Sequence, residues 1–133
     1  MNTQIQHYED KLSFEMDPAD LYEYLNKTDH NLVVIDARSK DGYDIEHIPS
    51  AISFPHRTMN EETTSKLDKS KTYITYCDGI GCNASTKGAL KLAKLGFDVK
   101  ELIGGLEWWK KDGYQTEGEL NAEKNNPVVG CYC

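Results

Sequence analysis

The sequence lacks both a long hydrophobic run and an excess of basic residues. No stretch of it approaches the roughly 20 apolar residues that a membrane-spanning helix requires. Lys and Arg total 15 against 22 Asp and Glu, which gives a formal net charge of −7. The basic residues are also scattered, which is not typical of a surface that binds nucleic-acid phosphates. We therefore expect neither a membrane nor a nucleic acid among the partners.

Targeting and cofactor motifs are lacking as well. The opening residues MNTQIQHYEDKLSF have none of the basic, apolar and small-residue segments of a signal peptide, so we expect a cytoplasmic protein. There is no glycine-rich dinucleotide or P-loop pattern, and His and Cys do not occur at metal-ligand spacing. We accordingly expect no cofactor and no bound metal.

Short apolar and β-branched segments predict the strands. LVVID (32–36) and TYITY (72–76) are typical of strands buried on both faces, and DVKELI (98–103) predicts a third. Two shorter strands are predicted at LSFEM (12–16), which alternates like an edge strand, and at AISFP (51–55).

Helical segments separate these strands. Asp17 and Pro18 predict the N-cap and the first residue of one helix. A later helix is predicted at TKGALKLAKLGF, which carries Leu90, Ala93 and Leu95 at helical spacing before Gly96 ends it. SKDGYDIEHI and GGLEWWKKDG predict two further helices. This alternation predicts an α/β fold with a mostly parallel sheet covered by helices on both faces. We expect one domain over residues 1–119 and a polar tail over 120–133 that ends in Cys131 and Cys133.

Cys77 is the candidate nucleophile. It directly follows the TYITY strand and precedes a helix, the place where open α/β sheets bind ligands. Gly79 and Gly81 allow the loop to turn its backbone N–H groups inward, and the next helix adds the positive end of its dipole. Both effects favour a thiolate, the nucleophilic form of cysteine. The alternative is that Cys77 is only a buried residue at a strand end.

Four segments form an ordered set of motifs along the chain. They are VVIDARSKDGYDIEHIPSAISFP, YITYCDG, NASTKGALKLAKLGF and VKELIGGLEWWKKDGY. Together they resemble the rhodanese-like domain family, from about Leu12 to Gly118. The residues that look like the family's first signature are Asp36, Arg38, Tyr43, His47, Ile48, Pro49 and Ala51.

The resemblance implies a three-layer fold with a five-stranded parallel sheet flanked by helices. It also implies a sulfurtransferase in which Cys77 takes a sulfane sulfur as a persulfide and passes it to a thiol acceptor. The implied partners are a small sulfur donor and a thiol acceptor, which includes a protein thiol. The alternative is a non-catalytic sulfur carrier or thiol redox-sensing module that uses Cys77 and Cys82. A phosphatase is disfavoured, because the loop carries no cation for phosphate.

The loop departs from the family pattern. In many single-domain members an arginine follows the cysteine and helps to bind anionic donors, whereas here the loop contains Asp78 and no cation. We therefore expect weak activity with thiosulfate and better activity with a persulfide donor. The predicted substrate cradle consists of Asp78, Gly79, Ile80, Gly81, Cys82 and Asn83.

Several other residues are candidates for supporting roles. Cys82 is either a resolving thiol for Cys77 or small packing volume. Asp36 and Arg38 are predicted to form an ion pair that fixes the strand end, and Arg57 is a candidate replacement for the missing loop cation.

Three further features have simpler expectations. His47 is expected to pack beside its neighbours rather than act as a base. Of Trp108 and Trp109, one is expected in the core and the other partly exposed. Cys131 and Cys133 are either a thiol relay to Cys77 or part of a flexible tail.

Overall fold

A five-stranded parallel sheet forms the centre of the fold, in a computed structural model that describes residues 2–122. The strand order is β1-β5-β4-β2-β3, and every neighbouring pair is parallel. The predicted α/β class and five-stranded sheet are confirmed. The strands are β1 (Glu15–Met16), β2 (Leu32–Asp36), β3 (Ile52–Ser53), β4 (Thr72–Tyr76) and β5 (Asp98–Leu102).

Within residues 2–122, six helices and one 3-10 turn connect or flank the strands. The helices are α1 (Thr3–Phe14), α2 (Pro18–Leu25), α3 (Lys40–Ile45), α4 (Ala84–Lys94), α5 (Gly105–Lys111) and α6 (Glu119–Ala122), and the 3-10 turn covers His56–Thr58. None of the helices within residues 2–122 is both long and apolar enough to cross a membrane.

The signals at the ends of two helices act as predicted. The Asp17 side chain accepts a hydrogen bond of 2.8 Å from the backbone N–H of Asp20, and Pro18 is the first residue of α2. Gly96 has φ +92°, the left-handed conformation that lets the chain turn after α4.

The predicted strand at 12–16 is mostly wrong. Leu12 and Phe14 belong to the end of α1 and are 82% and 59% exposed, so the apolar alternation does not mark a buried strand face. Only Glu15 and Met16 pair with β5. The helical hydrogen bonds of α1 continue through these residues until Glu15 takes an extended conformation.

The buried face of α4 contains mostly small residues. Of the three apolar residues at helical spacing, Leu90 and Ala93 are exposed and Leu95 is partly buried. Ala84, Gly88 and Leu92 are buried at a spacing of four residues. A β-carbon on Gly88 would lie 3.3 Å from the Ala37 β-carbon, so the helix approaches the sheet closely there. The small residues, rather than the leucine-rich stripe, therefore determine which side of α4 packs.

Apolar clusters cover both faces of the sheet. Leu21 and Trp109 pack with Val34 on the face that α2 and α5 cover. Leu92 of α4 packs with Ile35 and its neighbours on the other face. Trp109 is 2% exposed and Trp108 is 40% exposed, which confirms that one tryptophan is core and its neighbour is partly exposed.

The strand order defines where a site can form. β2 and β4 are neighbours, with Asp36 opposite Tyr76 at their carboxyl ends. The chain leaves β2 toward β3 on one side and leaves β4 toward β5 on the other. Such a reversal opens a crevice beyond the strand ends, where α/β proteins bind ligands.

Candidate active site

Cys77 lies in this crevice. It directly follows β4, is 3% exposed, and packs against Ala37 and Ala84. Ala84 is the first residue of α4, so the sulfur lies between the carboxyl end of β4 and the start of that helix. Among the described residues, Cys77 has the free thiol.

The hydrogen-bond partners of the Cys77 sulfur within residues 2–122 are oxygen atoms. The thiol donates to the carbonyl oxygen of Cys82 at 3.0 Å, and the carbonyl oxygen of Gly79 lies 3.7 Å away. The Ser85 hydroxyl is the third partner, at 3.6 Å. This differs from the predicted cradle of N–H groups, because two loop carbonyls point at the sulfur. The loop geometry therefore satisfies a protonated thiol.

Sequence reasoning missed Glu101, which lies behind Ser85. The Ser85 hydroxyl donates to Oε2 of Glu101 at 3.0 Å, and the Thr86 hydroxyl donates to the same oxygen at 2.9 Å. Glu101 is in β5, beside β4 in the sheet. The sequence signal that could have revealed Glu101 is an acidic residue inside a predicted parallel strand. Such strands are normally covered on both faces, so a carboxylate there needs polar partners.

Arg38 joins the carboxyl end of β2 to the Cys77 loop. Its guanidinium forms ion pairs of 2.7 Å with Asp36 and 2.9 Å with Asp78, and it also donates to the carbonyl of Glu46 at 2.6 Å. Tyr76 donates its hydroxyl hydrogen to Asp36 at 2.8 Å. The predicted Asp36–Arg38 ion pair is confirmed, and the structure adds Asp78 as a second carboxylate.

This network is nearly closed to solvent. The side chains of Asp36 and Arg38 are 0% and 3% exposed. Burial lowers the pKa of Arg38. The hydrogen bond and charge of Asp36, together with Tyr76 and Asp78, raise this pKa by more than burial lowers it, so the net shift is upward. Burial also raises the pKa of Tyr76 well above its ordinary value, and the charge of Asp36 adds to this. Arg38 is therefore a permanent cation that two carboxylates already engage.

The start of α5 holds the Cys77 loop from the other side. The backbone N–H of Leu106 donates to the carbonyl of Cys77 at 2.9 Å, and that of Glu107 donates to the carbonyl of Asp78 at 2.8 Å. Gly105 has φ +56°, and a β-carbon there would lie 2.2 Å from the Cys77 carbonyl oxygen. This contact requires a residue without a side chain, so the glycine at 105 is part of what shapes the site.

The predicted cradle residues are more open than Cys77. Ile80 is 76% exposed, and Gly81 adopts φ +97°. Asn83 precedes α4 without forming a side-chain cap hydrogen bond. Gly79 faces Glu107, since a β-carbon on Gly79 would lie 3.1 Å from the Glu107 β-carbon. The loop therefore forms an open rim above a buried sulfur.

Cys82 lies partly buried against the cluster around Cys77. It takes part in a disulfide, whereas the Cys77 thiol is free. A resolving role for Cys82 toward Cys77 thus requires that this disulfide first be reduced, and it stays a prediction. Cys131 and Cys133 lie outside the described residues.

Arg57 and His47 are the remaining candidates. Arg57 is exposed on the 3-10 turn, next to the buried His56. The His47 ring stacks on Tyr43 with centroids 3.8 Å apart, and its Nδ1 is 2.7 Å from the Tyr43 carbonyl, as expected for a packed histidine. Within residues 2–122, no group of three or more His, Cys, Asp or Glu side chains is arranged to hold a metal ion.

Comparison with solved structures shows close neighbours. The BH2092 protein of Bacillus halodurans is 49% identical, with a TM-score of 0.84, and the match covers 90% of this chain and 87% of that one. The rhodanese-like domain of the Alr3790 protein of Anabaena is 29% identical, with a TM-score of 0.72, and the match covers 87% and 86% of the two chains.

Curated relatives and a family model agree with this likeness. Thiosulfate sulfurtransferase GlpE of Coxiella burnetii is 37% identical over 102 residues, or 75% of this chain and 90% of that protein. A tRNA uridine(34) hydroxylase of Oceanobacillus iheyensis is 33% identical, over 79% of this chain but only 33% of its own length. The model of the rhodanese-like domain matches residues 17–112, from the N-cap of α2 to the C-cap of α5. The crevice around Cys77 is thus that of a member of the rhodanese-like domain family.

Proposed function

We propose that this protein is a sulfurtransferase that carries a sulfane sulfur on Cys77 and delivers it to a thiol. The observation that carries the proposal is the free Cys77 thiol at the carboxyl end of β4, at the switch point of a rhodanese-like sheet. The exposed loop rim lies above this buried sulfur and is the side from which a donor reaches it. A relative named as a thiosulfate sulfurtransferase, 37% identical, supports the reaction class.

The reaction divides into two displacements at sulfur. The Cys77 thiolate attacks the outer sulfur of the donor, a new S–S bond forms and the donor S–S bond breaks. The rest of the donor departs with the electron pair of that bond, as a thiolate from a persulfide or as sulfite from thiosulfate. An acceptor thiolate then attacks the outer sulfur of the Cys77 persulfide, and Cys77 leaves as a thiolate. The sulfur atom is transferred with no net change in redox state, so no cofactor is required.

The charges around the loop favour a persulfide over thiosulfate as donor. Asp36 and Asp78 share the Arg38 guanidinium, so this cation is already engaged before any donor arrives. Glu101 and Glu107 add carboxylates near the sulfur and near Gly79. A dianion is repelled by this set more strongly than a monoanionic or neutral persulfide is.

The test is intact mass spectrometry of the fully reduced protein after exposure to thiosulfate or, separately, glutathione persulfide. We expect the persulfide to add one sulfur atom to the wild type and a later excess of glutathione to remove it. Thiosulfate is expected to load a much smaller fraction. Cys77→Ser is expected to load neither donor's sulfur at that position, as peptide mapping reports.

Cys82→Ser is the matched control in the same loop. It is expected to load and release sulfur like the wild type, because the displacement needs only Cys77. A wild type in which peptide mapping places the added sulfur on another cysteine and not on Cys77 would refute the proposal. A wild type that takes up no sulfur, but forms a mapped Cys77–Cys82 disulfide on mild oxidation, would support the thiol redox module instead.

A further inference from the structure

Three side chains, from the loop after β4, from α4 and from β5, lie in contact in one row. The Cys77 sulfur is 3.6 Å from the Ser85 hydroxyl, and that hydroxyl donates to Glu101 at 3.0 Å. Cys77 and Ser85 are 3% and 4% exposed. This row of contacts leads from the buried sulfur, through Ser85 in the first turn of α4, to the Glu101 carboxylate on β5.

The direction of the hydrogen bond between Ser85 and Glu101 follows from the single hydrogen of a serine hydroxyl. An ionised carboxylate only accepts, so Ser85 gives its hydrogen to Glu101. The Ser85 oxygen then offers only lone pairs to Cys77. The one hydrogen of the thiol goes to the carbonyl of Cys82 at 3.0 Å, so the sulfur and the Ser85 oxygen face each other at 3.6 Å with no hydrogen between them.

We infer that Glu101 is a positioning residue for Cys77, because by holding the Ser85 hydrogen it leaves the resting sulfur facing an acceptor oxygen instead of a donor. When the sulfur becomes anionic, Ser85 stabilises it only by turning its hydrogen away from Glu101. The inference deepens the proposed function and rests on it only in taking Cys77 as the reacting group. It assigns Glu101 the control of when Cys77 becomes nucleophilic.

Replacing Glu101 with glutamine allows the hydrogen bond between residue 101 and Ser85 to reverse its direction. A glutamine amide can donate to the Ser85 oxygen, which frees the Ser85 hydrogen to point at Cys77. A hydrogen bond to the charged form stabilises a thiolate. Glu101→Gln is therefore expected to make Cys77 more reactive at neutral pH.

The other charged and titratable groups around the loop are the same in all variants. Asp36, Arg38 and Asp78 form the network on the β2 side, Glu107 faces Gly79 from α5, and His56 lies on the 3-10 turn packed against α4. The variants change neither these residues nor their paired contacts. A comparison among variants at Ser85 and Glu101 therefore isolates this row of contacts from this background.

The experiment is a double-mutant cycle read by the pH dependence of Cys77 alkylation. The reduced full-length protein is treated with iodoacetamide, and peptide mass mapping follows Cys77 separately from the other cysteines. Glu101→Gln is expected to speed alkylation at pH 7 by about tenfold, the change that one hydrogen bond to a charged group supports. The rate at the alkaline plateau stays unchanged, so the whole profile moves to lower pH.

The Ser85→Ala background carries the decisive comparison. There, Glu101→Gln is expected to have no further effect, because Glu101 acts through the hydroxyl. An equal acceleration in that background would show direct charge repulsion and overturn the inference, as would no acceleration in the wild-type background. Thr86→Val removes the other donor to the same oxygen and is expected to leave the rate unchanged.

A second variant separates the effect of the negative charge from that of the contact with Ser85. Glu101→Asp keeps the carboxylate but shortens the side chain by one methylene, which withdraws it from Ser85. It is expected to speed alkylation as Glu101→Gln does, and a rate equal to wild type would contradict the inference. If Cys77 takes up no sulfur but the Ser85 and Glu101 variants give the expected alkylation rates, only the proposed function is refuted. If Cys77 takes up sulfur normally but the alkylation rates do not follow the expectation, only the role of Glu101 is refuted.

Discussion

Replacing Arg38 with methionine is expected to destabilise the protein by about 3–5 kcal/mol, because it leaves a buried carboxylate without its cation. Asp36 is fully buried and loses its ion pair of 2.7 Å. Asp78 loses its pair of 2.9 Å at the same time, so the Cys77 loop loses its tie to β2. Urea unfolding followed by tryptophan fluorescence measures the loss, since Trp109 is 2% exposed in the folded state.

The chain supplies a matched control, because Arg38 and Arg57 are its two arginines. Arg57 is exposed, so Arg57→Met is expected to change the free energy of unfolding by less than about 0.5 kcal/mol. Adding Asp36→Asn to Arg38→Met is expected to recover much of the lost stability, because the unpaired charge is removed. Equal losses from Arg38→Met and Arg57→Met would contradict the structural role. The Arg57 variant also tests that residue as a donor-binding cation, which would appear as reduced sulfur loading.

The sheet and the position of the nucleophile could be predicted from the sequence because both depend on local patterns. The β-branched runs at 32–36 and 72–76 contain their own signal for burial, and Cys77 follows the second run directly. The Asp36–Arg38 pair was predictable for the same reason, since both residues lie at one strand end. Each of these predictions needed only residues close together in the chain.

The contacts of the nucleophile could not be predicted, because they depend on how distant elements pack. Glu101 reaches Ser85 only because β5 lies beside β4 and α4 crosses that face. The side of α4 that is buried is decided by Gly88 against Ala37, which overrides the apolar stripe that contains Leu90. Hydrophobic spacing alone carries no information about such a close approach.

Replacing Gly105 with alanine is expected to cost more stability than the positive φ angle alone explains. A β-carbon at this position would lie 2.2 Å from the Cys77 carbonyl oxygen and 3.1 Å from the Gly79 nitrogen, which are backbone atoms that no side-chain rotation can move. The start of α5 must therefore shift, and the 2.9 Å hydrogen bond from Leu106 to Cys77 is lost. We expect a loss of about 3 kcal/mol or more, from left-handed strain together with the displaced and unpaired backbone.

Gly113→Ala separates the two causes, because Gly113 has φ +91° but an added β-carbon there would meet no atom of the described residues within 4 Å. That variant carries the backbone strain without the clash and is expected to cost about 1–2 kcal/mol. The difference between the two alanine variants in urea unfolding then measures the steric contact at Cys77. A difference near zero would show that α5 moves away from the loop without cost. A large difference, accompanied by slower sulfur loading in Gly105→Ala only, would show that the contact between α5 and the loop holds Cys77 in its reactive position.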